Sequence, residues 1–384
     1  MNLLDRYIFK SVFFTCLAAV GMFAFIVVVP NIARDLVAHA LAGQLPPLTL
    51  LKLISLLVPV AIVYALPMGM LTGVLLTLGR LSADSEITAM RAAGVSVPRA
   101  TRPVVLLGVL GAAVGLYFNF DSMPRARVAY ESTLAAAIRS NPLSIIVPKT
   151  FIRDFPGYVV YVNDKEGGLL HDFWLWELDK DRRVVRVVRA ESGRVDYDDT
   201  NNEFILTLTH AQVESRREKA PENFTDAQLV GAFGQWGPIH LSLERFFGRG
   251  SSIRVKREWL TYDQLEAERQ RLAQVETPAA PEEAERLAQD RIKADMVYHD
   301  KFNTALAVLS FAMIGIPLGI KVSRRETSAN FGVAVGLTLV YYLMTVVIKV
   351  LDRHPEVRPD LLLWLPNAIY LGAAIWLMRR VERR

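Results

Sequence analysis

Long apolar runs alternate with shorter polar stretches over most of the chain. Six runs of about 18 or more residues carry no charged side chain, and a helix of that length crosses a hydrocarbon core of roughly 30 Å. They cover residues 11–30, 53–79, 103–120, 302–320, 330–348 and 361–378. The pattern predicts an α-helical membrane protein with six transmembrane helices, the first of them retained because its run exceeds the usual signal-peptide core of about 7 to 15 residues.

The pattern changes after the third run. Period-two alternation and β-branched or aromatic residues, separated by turn-forming clusters, mark several predicted strands. They include residues 158–162, 172–178, 183–188 and 203–209. The sequence therefore predicts an all-β domain inserted between the third and fourth spans.

Residues 258–301 return to a charged, helical pattern with a TPAAP break at 277–281. This pattern is typical of a solvated helical connector. The predicted organisation is residues 1–122 for the first three spans, 123–257 for the β domain, 258–301 for the connector and 302–384 for the last three spans. Trp174, Trp176 and Trp236 are interpreted as core or rim aromatics of the β domain.

A short polar stretch, residues 82–94, separates the second and third runs. Side-chain oxygens at its start suit a helix N-terminus, and Gly94 suits the left-handed turn that ends a helix. The candidate capping residues are Ser82, Asp84 and Ser85. Ile87, Met90 and Ala93 recur at helical spacing on one side. So short a helix is marginal alone, and we expect it to pack on a partner.

The net charge of +5 is modest, and its distribution is more informative than its size. Basic residues cluster before the first run and after the second, fourth and sixth, which places them all on one side of six alternating spans. These residues are Arg6, Lys10, Arg80, Arg91, Arg99, Arg102, Lys321, Arg324, Arg325, Arg379, Arg380, Arg383 and Arg384. The positive-inside bias then predicts cytoplasmic termini, a cytoplasmic helix at 82–94 and an extracytoplasmic β domain.

Motifs for catalysis are missing from the sequence. It contains no GxxxxGK[ST] phosphate loop, no HExxH and no pair of cysteines, and its six histidines are scattered. The apolar runs contain no mid-membrane charges of the kind that mark ion-coupled transport. We therefore predict a chain that is not an enzyme, with no cofactor, no metal and no catalytic residue, driven by energy from a partner. A membrane transferase is disfavoured on the same grounds.

Four segments resemble the lipopolysaccharide export permeases, the LptF/LptG family of ABC-transporter membrane subunits. They are LPMGMLTGVLLTLGRLSADSEITAMRAAGVS (66–96), Asn141-Pro142, IGIPLGI (314–320) and PDLLLWLPNAIYL (359–371). The resemblance covers nearly the whole chain in the family's order: three spans, a β insert and three spans. It implies a jellyroll-like periplasmic domain and a location in the bacterial inner membrane. The motifs do not separate the F-type from the G-type subunit, and the loop after the fifth span favours the F type.

The resemblance also implies partners and sites. The expected partners are a dimer of a cytoplasmic ABC ATPase, a second six-span permease, periplasmic β-jellyroll bridge proteins and the lipopolysaccharide itself. The helix at 82–94 corresponds to the family's coupling helix, which docks into the ATPase, and Glu86 is the charge expected to be most sensitive. The matching positions are Asp84, Ser85, Glu86, Ile87, Met90, Arg91 and Gly94.

Two basic residues at the outer ends of spans are candidates for contact with lipid phosphates. Arg34 follows the first span, and Lys349 ends the fifth and is the weaker candidate. From the residues alone, Arg34 is more simply read as a local ion pair with Asp35, and the resemblance adds weight to a head-group contact, which a guanidinium suits. A different class of function stays open: a sensory or mechanotransmitting subunit that couples the β domain to a cytoplasmic partner without moving lipid.

Overall fold

The computed structural model describes residues 3–35, 46–140, 146–153, 155–179, 181–198, 203–215, 229–242, 255–275, 281–322, 327–353 and 355–383. Within these ranges, six helices are long and apolar enough to cross a membrane, which confirms the predicted spans. The helices are α1 (Leu3–Asp35), α2 (Pro47–Ala83), α3 (Glu86–Ala92), α4 (Val97–Tyr117), α5 (Met123–Ser140), α6 (Tyr262–Gln274), α7 (Pro281–Val322), α8 (Thr327–Val350), α9 (Pro359–Leu362) and α10 (Leu365–Glu382). The spans belong to α1, α2, α4, α7, α8 and α10.

The chain divides into two compact units. One contains Met1–Pro30, Ser55–Val128 and Val255–Arg384, and the other contains Asn31–Ile54 and Ala129–Arg254. The first unit holds the apolar bundle, and the second holds the β domain.

Helix α2 packs closely against two other spans of the bundle, and small residues permit this approach. A Cβ placed on Gly73 of α2 would lie 2.5 Å from Cys16 Sγ of α1. On another side of α2, a Cβ on Gly319 of α7 would lie 3.0 Å from Leu78 Cβ. Helix α2 is therefore held between α1 and α7 just before it reaches the polar stretch at 82–94.

The spans differ in how much of their surface the bundle covers. In the most apolar window, 67% of the residues of the fourth span are buried, against 17% for the first and 22% for the fifth. Large apolar side chains such as Phe14 and Phe25 on α1 and Val347 on α8 are exposed. The first and fifth spans thus present apolar faces that the described residues of this chain leave exposed.

The second unit contains one antiparallel sheet of six described strands. They are β1 (Phe151–Ile152), β2 (Tyr158–Glu166), β3 (Leu169–Leu178), β4 (Val184–Asp198), β5 (Glu203–Ser215) and β6 (Leu229–Ser242). Each strand pairs with its sequence neighbour, as in Val160 with Leu175 and Val188 with Val213. Alternate side chains, among them Phe173 and Phe204, form the buried core. The predicted β insert is confirmed, and its described strands follow one another in a meander.

Two parts of the insert differ from the sequence pattern. Residues 123–140 are helical, continuous with α4 through a π-helical segment at Phe118–Ser122, and the first described strand begins at Phe151. Strand β6 lacks a clean period-two pattern because Gly231, Gly234 and the Gly237-Pro238 pair interrupt it. Trp174 and Trp176 stack 5.8 Å apart, and Trp236 packs partly against the core.

The predicted connector forms a pair of packed helices. Helix α6 begins with a capping box between Thr261 and Gln264. The first half of α7 packs on α6 and continues into the fourth span without interruption. Arg269 of α6 binds Asp295 of α7 at 2.6 Å, and Arg257 binds Asp290 at 2.9 Å. Most of the predicted TPAAP break lies outside the described residues.

Candidate functional site

The polar stretch between the second and third spans contains the short helix α3, which we call the loop helix. It covers Glu86–Ala92, shorter than the predicted 82–94, because α2 continues to Ala83 before the chain turns at residues 84 and 85. Helix α4 then begins at Val97 with a proline in its first turn. The loop helix is thus joined to two spans by tight turns.

The start of the loop helix differs from the predicted side-chain cap. Ser85 is at the N-cap position in a left-handed conformation, with φ 61°, and its side chain makes no capping hydrogen bond. Ser82 lies within α2, where its Oγ donates to the Ile320 carbonyl at 3.0 Å. The capping prediction is wrong for these two serines, because a left-handed residue makes the turn and leaves Ser82 to tie α2 to α7.

The end of the loop helix matches the prediction. Gly94 has φ 82°, its N–H donates to the Arg91 carbonyl, and the Val95 N–H donates to the Met90 carbonyl, both at 3.0 Å. This is the Schellman arrangement, in which a left-handed residue satisfies the last carbonyls of a helix. The side chains of Val95 and Met90 also pack against the apolar cluster of the bundle that contains Ile87.

The loop helix has a buried face and an exposed face. Ile87 is 7% exposed and packs with Ile8, Leu78 and Leu81. Met90 lines a small apolar cavity beside them. The exposed residues include Asp84, Ser85, Arg91 and Gly94, and Glu86 is half-buried. The buried face anchors the helix to the spans, and the other face is exposed among the described residues.

Two hydrogen bonds link the start of α1 to this region. The Tyr7 hydroxyl donates to Glu86 Oε1 at 3.2 Å. One helical turn further along α1, Ser11 Oγ accepts a hydrogen bond from Arg80 Nη2 at 2.8 Å. The sequence did not reveal these contacts, because the pairs are 79 and 69 positions apart and the only local signal is a tyrosine near the edge of an apolar run.

The structure describes the side chain of only one of the two basic residues predicted to contact lipid phosphates. Arg34 is in the last turn of α1, and its side chain lies outside the described residues. Lys349, in the last turn of α8, donates to Asp300 Oδ2 of α7 at 2.8 Å and keeps about half of its side chain exposed. Lys349 therefore has an acidic partner within the chain.

Polar groups buried in the bundle are used to join helices. Lys301 is 4% exposed, and its Nζ donates to the carbonyls of Asn119 and Leu260 at 2.9 and 3.0 Å. Asn367 of α10 donates to Asn303 and accepts from Ser310. Lys301 is paired with backbone carbonyls, and the Asn303, Ser310 and Asn367 side chains bond to one another, so these contacts are structural links within the bundle.

The fold and the loop helix define a polytopic membrane protein with a β insertion and a short helix between its second and third spans. The profile of the family described as "Lipopolysaccharide export system permease LptF/LptG" matches residues 6–380, and the chain belongs to this family. The resemblance found in the sequence is thereby confirmed. The family consists of permease subunits of a transporter rather than catalytic enzymes.

Curated relatives support the same assignment. The chain is 22% identical over 372 residues to the lipopolysaccharide export system permease protein LptF of Escherichia coli K12, which covers 96% of this chain and 93% of that protein. The proteins of the same name from Escherichia coli O157:H7 and Shigella flexneri give the same values. The similarity extends over nearly the full length of both chains.

Proposed function

We propose that this chain is one membrane half of an ABC exporter that extracts lipopolysaccharide, or a related glycolipid, from the outer leaflet of the bacterial inner membrane. The observation that carries the proposal is the loop helix, which is anchored by Ile87 to two spans and exposes polar residues in a chain without a phosphate loop of its own. ATP hydrolysis therefore belongs to a separate ATPase.

The proposed topology follows the charge distribution. The termini and the loop helix are cytoplasmic, and the β domain is periplasmic. A dimer of a cytoplasmic ABC ATPase docks on the loop helix and its flanking turns. The residues proposed to form this contact are Asp84, Ser85, Glu86, Ile87, Met90, Arg91 and Gly94. We propose the same domain limits as from the sequence, with the β domain at 123–257 and the connector at 258–301. Within the β domain, the described strands start after helix α5.

The proposed lipid cavity is formed with a second six-span permease. Its support is the apolar surface of the first and fifth spans that is exposed among the described residues. Acyl chains lie along the apolar faces of the first, second and fifth spans, and the phosphates lie near Arg34, with Lys349 as the weaker contact. Movement of the loop helix narrows the cavity and pushes the lipid towards the β domain, which passes it to periplasmic jellyroll bridge proteins. The names of the relatives favour the F-type subunit.

The test is purification of the chain from its native membrane in mild detergent, followed by native mass spectrometry. We expect a cytoplasmic ABC ATPase in two copies, a second six-span permease and bound lipopolysaccharide. A complex with a cytoplasmic partner but without lipid would favour the sensory or mechanotransmitting alternative and contradict the export function.

A further inference from the structure

We infer that Tyr7 is a positioning residue for the loop helix, where the ATPase is proposed to dock. Its hydroxyl holds the Glu86 carboxylate in the orientation used to bind the ATPase. The inference rests on the proposed function. The Tyr7 hydroxyl donates to Glu86 Oε1 at 3.2 Å, and the two residues belong to different helices, α1 and α3.

The neighbouring residues of α1 fix the position of Tyr7. Ile8 is 2% exposed and Val12 is fully buried, and both pack in the apolar cluster that also contains Ile87. The hydrogen bond between Arg80 and Ser11, one turn from Tyr7, ties the same part of α1 to the end of α2. The backbone that carries Tyr7 is therefore held against both ends of the turn that precedes the loop helix.

The chemistry of the pair suits a docking residue. The Tyr7 hydroxyl uses one oxygen of the carboxylate, which leaves Oε2 and the full negative charge for a cationic side chain of the partner. Glutamate has a flexible side chain, and ordering it on binding costs conformational entropy. A hydrogen bond that orders Glu86 before docking removes part of that cost.

A double-mutant cycle tests the inference with the full chain in nanodiscs together with its partner permease. The affinity of the co-purifying ATPase is measured by biolayer interferometry for wild type, Tyr7→Phe, Glu86→Gln and the double variant. We expect Tyr7→Phe to weaken binding about three- to tenfold, the scale of one hydrogen bond to a charged group that is partly solvated. In the Glu86→Gln background the same change should alter affinity less than about twofold, because the charge that Tyr7 positions is absent.

The matched control is Ser11→Ala, which removes the neighbouring hydrogen bond without touching Glu86. Its effect should be the same in the wild-type and Glu86→Gln backgrounds. The inference is overturned if Tyr7→Phe leaves the affinity unchanged or weakens it equally in both backgrounds, since the latter is what a purely structural tyrosine would do. Failure of the proposed function is distinguishable, because then the wild-type chain itself binds no ATPase.

Discussion

Lys349 Nζ lies 2.8 Å from Asp300 Oδ2, an ion pair that joins the end of the fifth span to the fourth. An aspartate and a lipid phosphate compete for the same ammonium group. We therefore expect Asp300→Asn to increase, and Lys349→Ala to decrease, the crosslinking of lipopolysaccharide to a photoreactive residue placed at Val346, which is exposed one turn away. Equal crosslinking in all three proteins would remove Lys349 from the lipid site.

Glycine and alanine substitutions in the two turns that flank the loop helix should change the free energy of unfolding differently. Gly94 has φ 82°, and no described residue lies within 4 Å of an added Cβ, so Gly94→Ala adds backbone strain and should lower the free energy of unfolding by about 1 to 2 kcal/mol. Ser85 has φ 61°, so Ser85→Gly should relieve strain and be neutral or slightly stabilising. Thermal unfolding of the purified protein measures both. A stabilising Gly94→Ala would contradict the described turn.

The contact between α1 and α2 at Gly73 should not tolerate a larger side chain. Gly73→Val forces its Cβ against Cys16, and we expect a loss of about 1 to 3 kcal/mol of stability. Gly21→Val is the matched control, because no described residue lies within 4 Å of the added Cβ there. If the two variants show the same melting temperature in detergent, α1 does not pack on α2 as described.

The turn between β3 and β4 should depend on pH through Asp179. Hydrogen bonds from the Arg183 backbone N–H, and from the Arg183 side chain, lower the pKa of Asp179 below its ordinary value of 3.8. A depressed carboxyl pKa contributes stability that is present above the unfolded value and is lost as the pH falls through the folded value. At pH 7, Asp179→Asn should speed hydrogen exchange of the peptide that contains Arg183. That difference from wild type should shrink below about pH 4, and a difference that persists there would point to another cause.

The sequence alone predicts the spans and most of the described strands, because each of these elements has a local sequence pattern. Charge-free runs mark the helices, and alternation marks strands such as β2 and β3. Helix α5 was not foreseen, because its polar and charged residues follow a span without a helix start signal. Strand β6 was missed because glycines and a proline interrupt its alternation.

Within the candidate site, Gly94 was predictable and the contacts of Glu86 were not. A glycine after a short helix is a local signal for a left-handed turn, and the structure confirms it. The Tyr7 and Asp300 contacts join residues 79 and 49 positions from their partners, so only the packing of the helices determines them. Ser85 adopts its left-handed conformation because it lies in the turn between α2 and α3. A serine in the sequence does not by itself predict that conformation.

We propose that the loop helix transmits the energy of a partner ATPase to lipid export, and Glu86→Arg tests this proposal most directly. Proteoliposomes containing the chain, its partner permease and the ATPase are assayed for ATP-dependent release of lipopolysaccharide to a periplasmic acceptor, and Arg102→Glu in α4 serves as a charge-reversal control outside the loop helix. We predict that Glu86→Arg loses both co-purification of the ATPase and ATP-dependent release, whereas the control retains them. Normal association and release with Glu86→Arg would contradict the account.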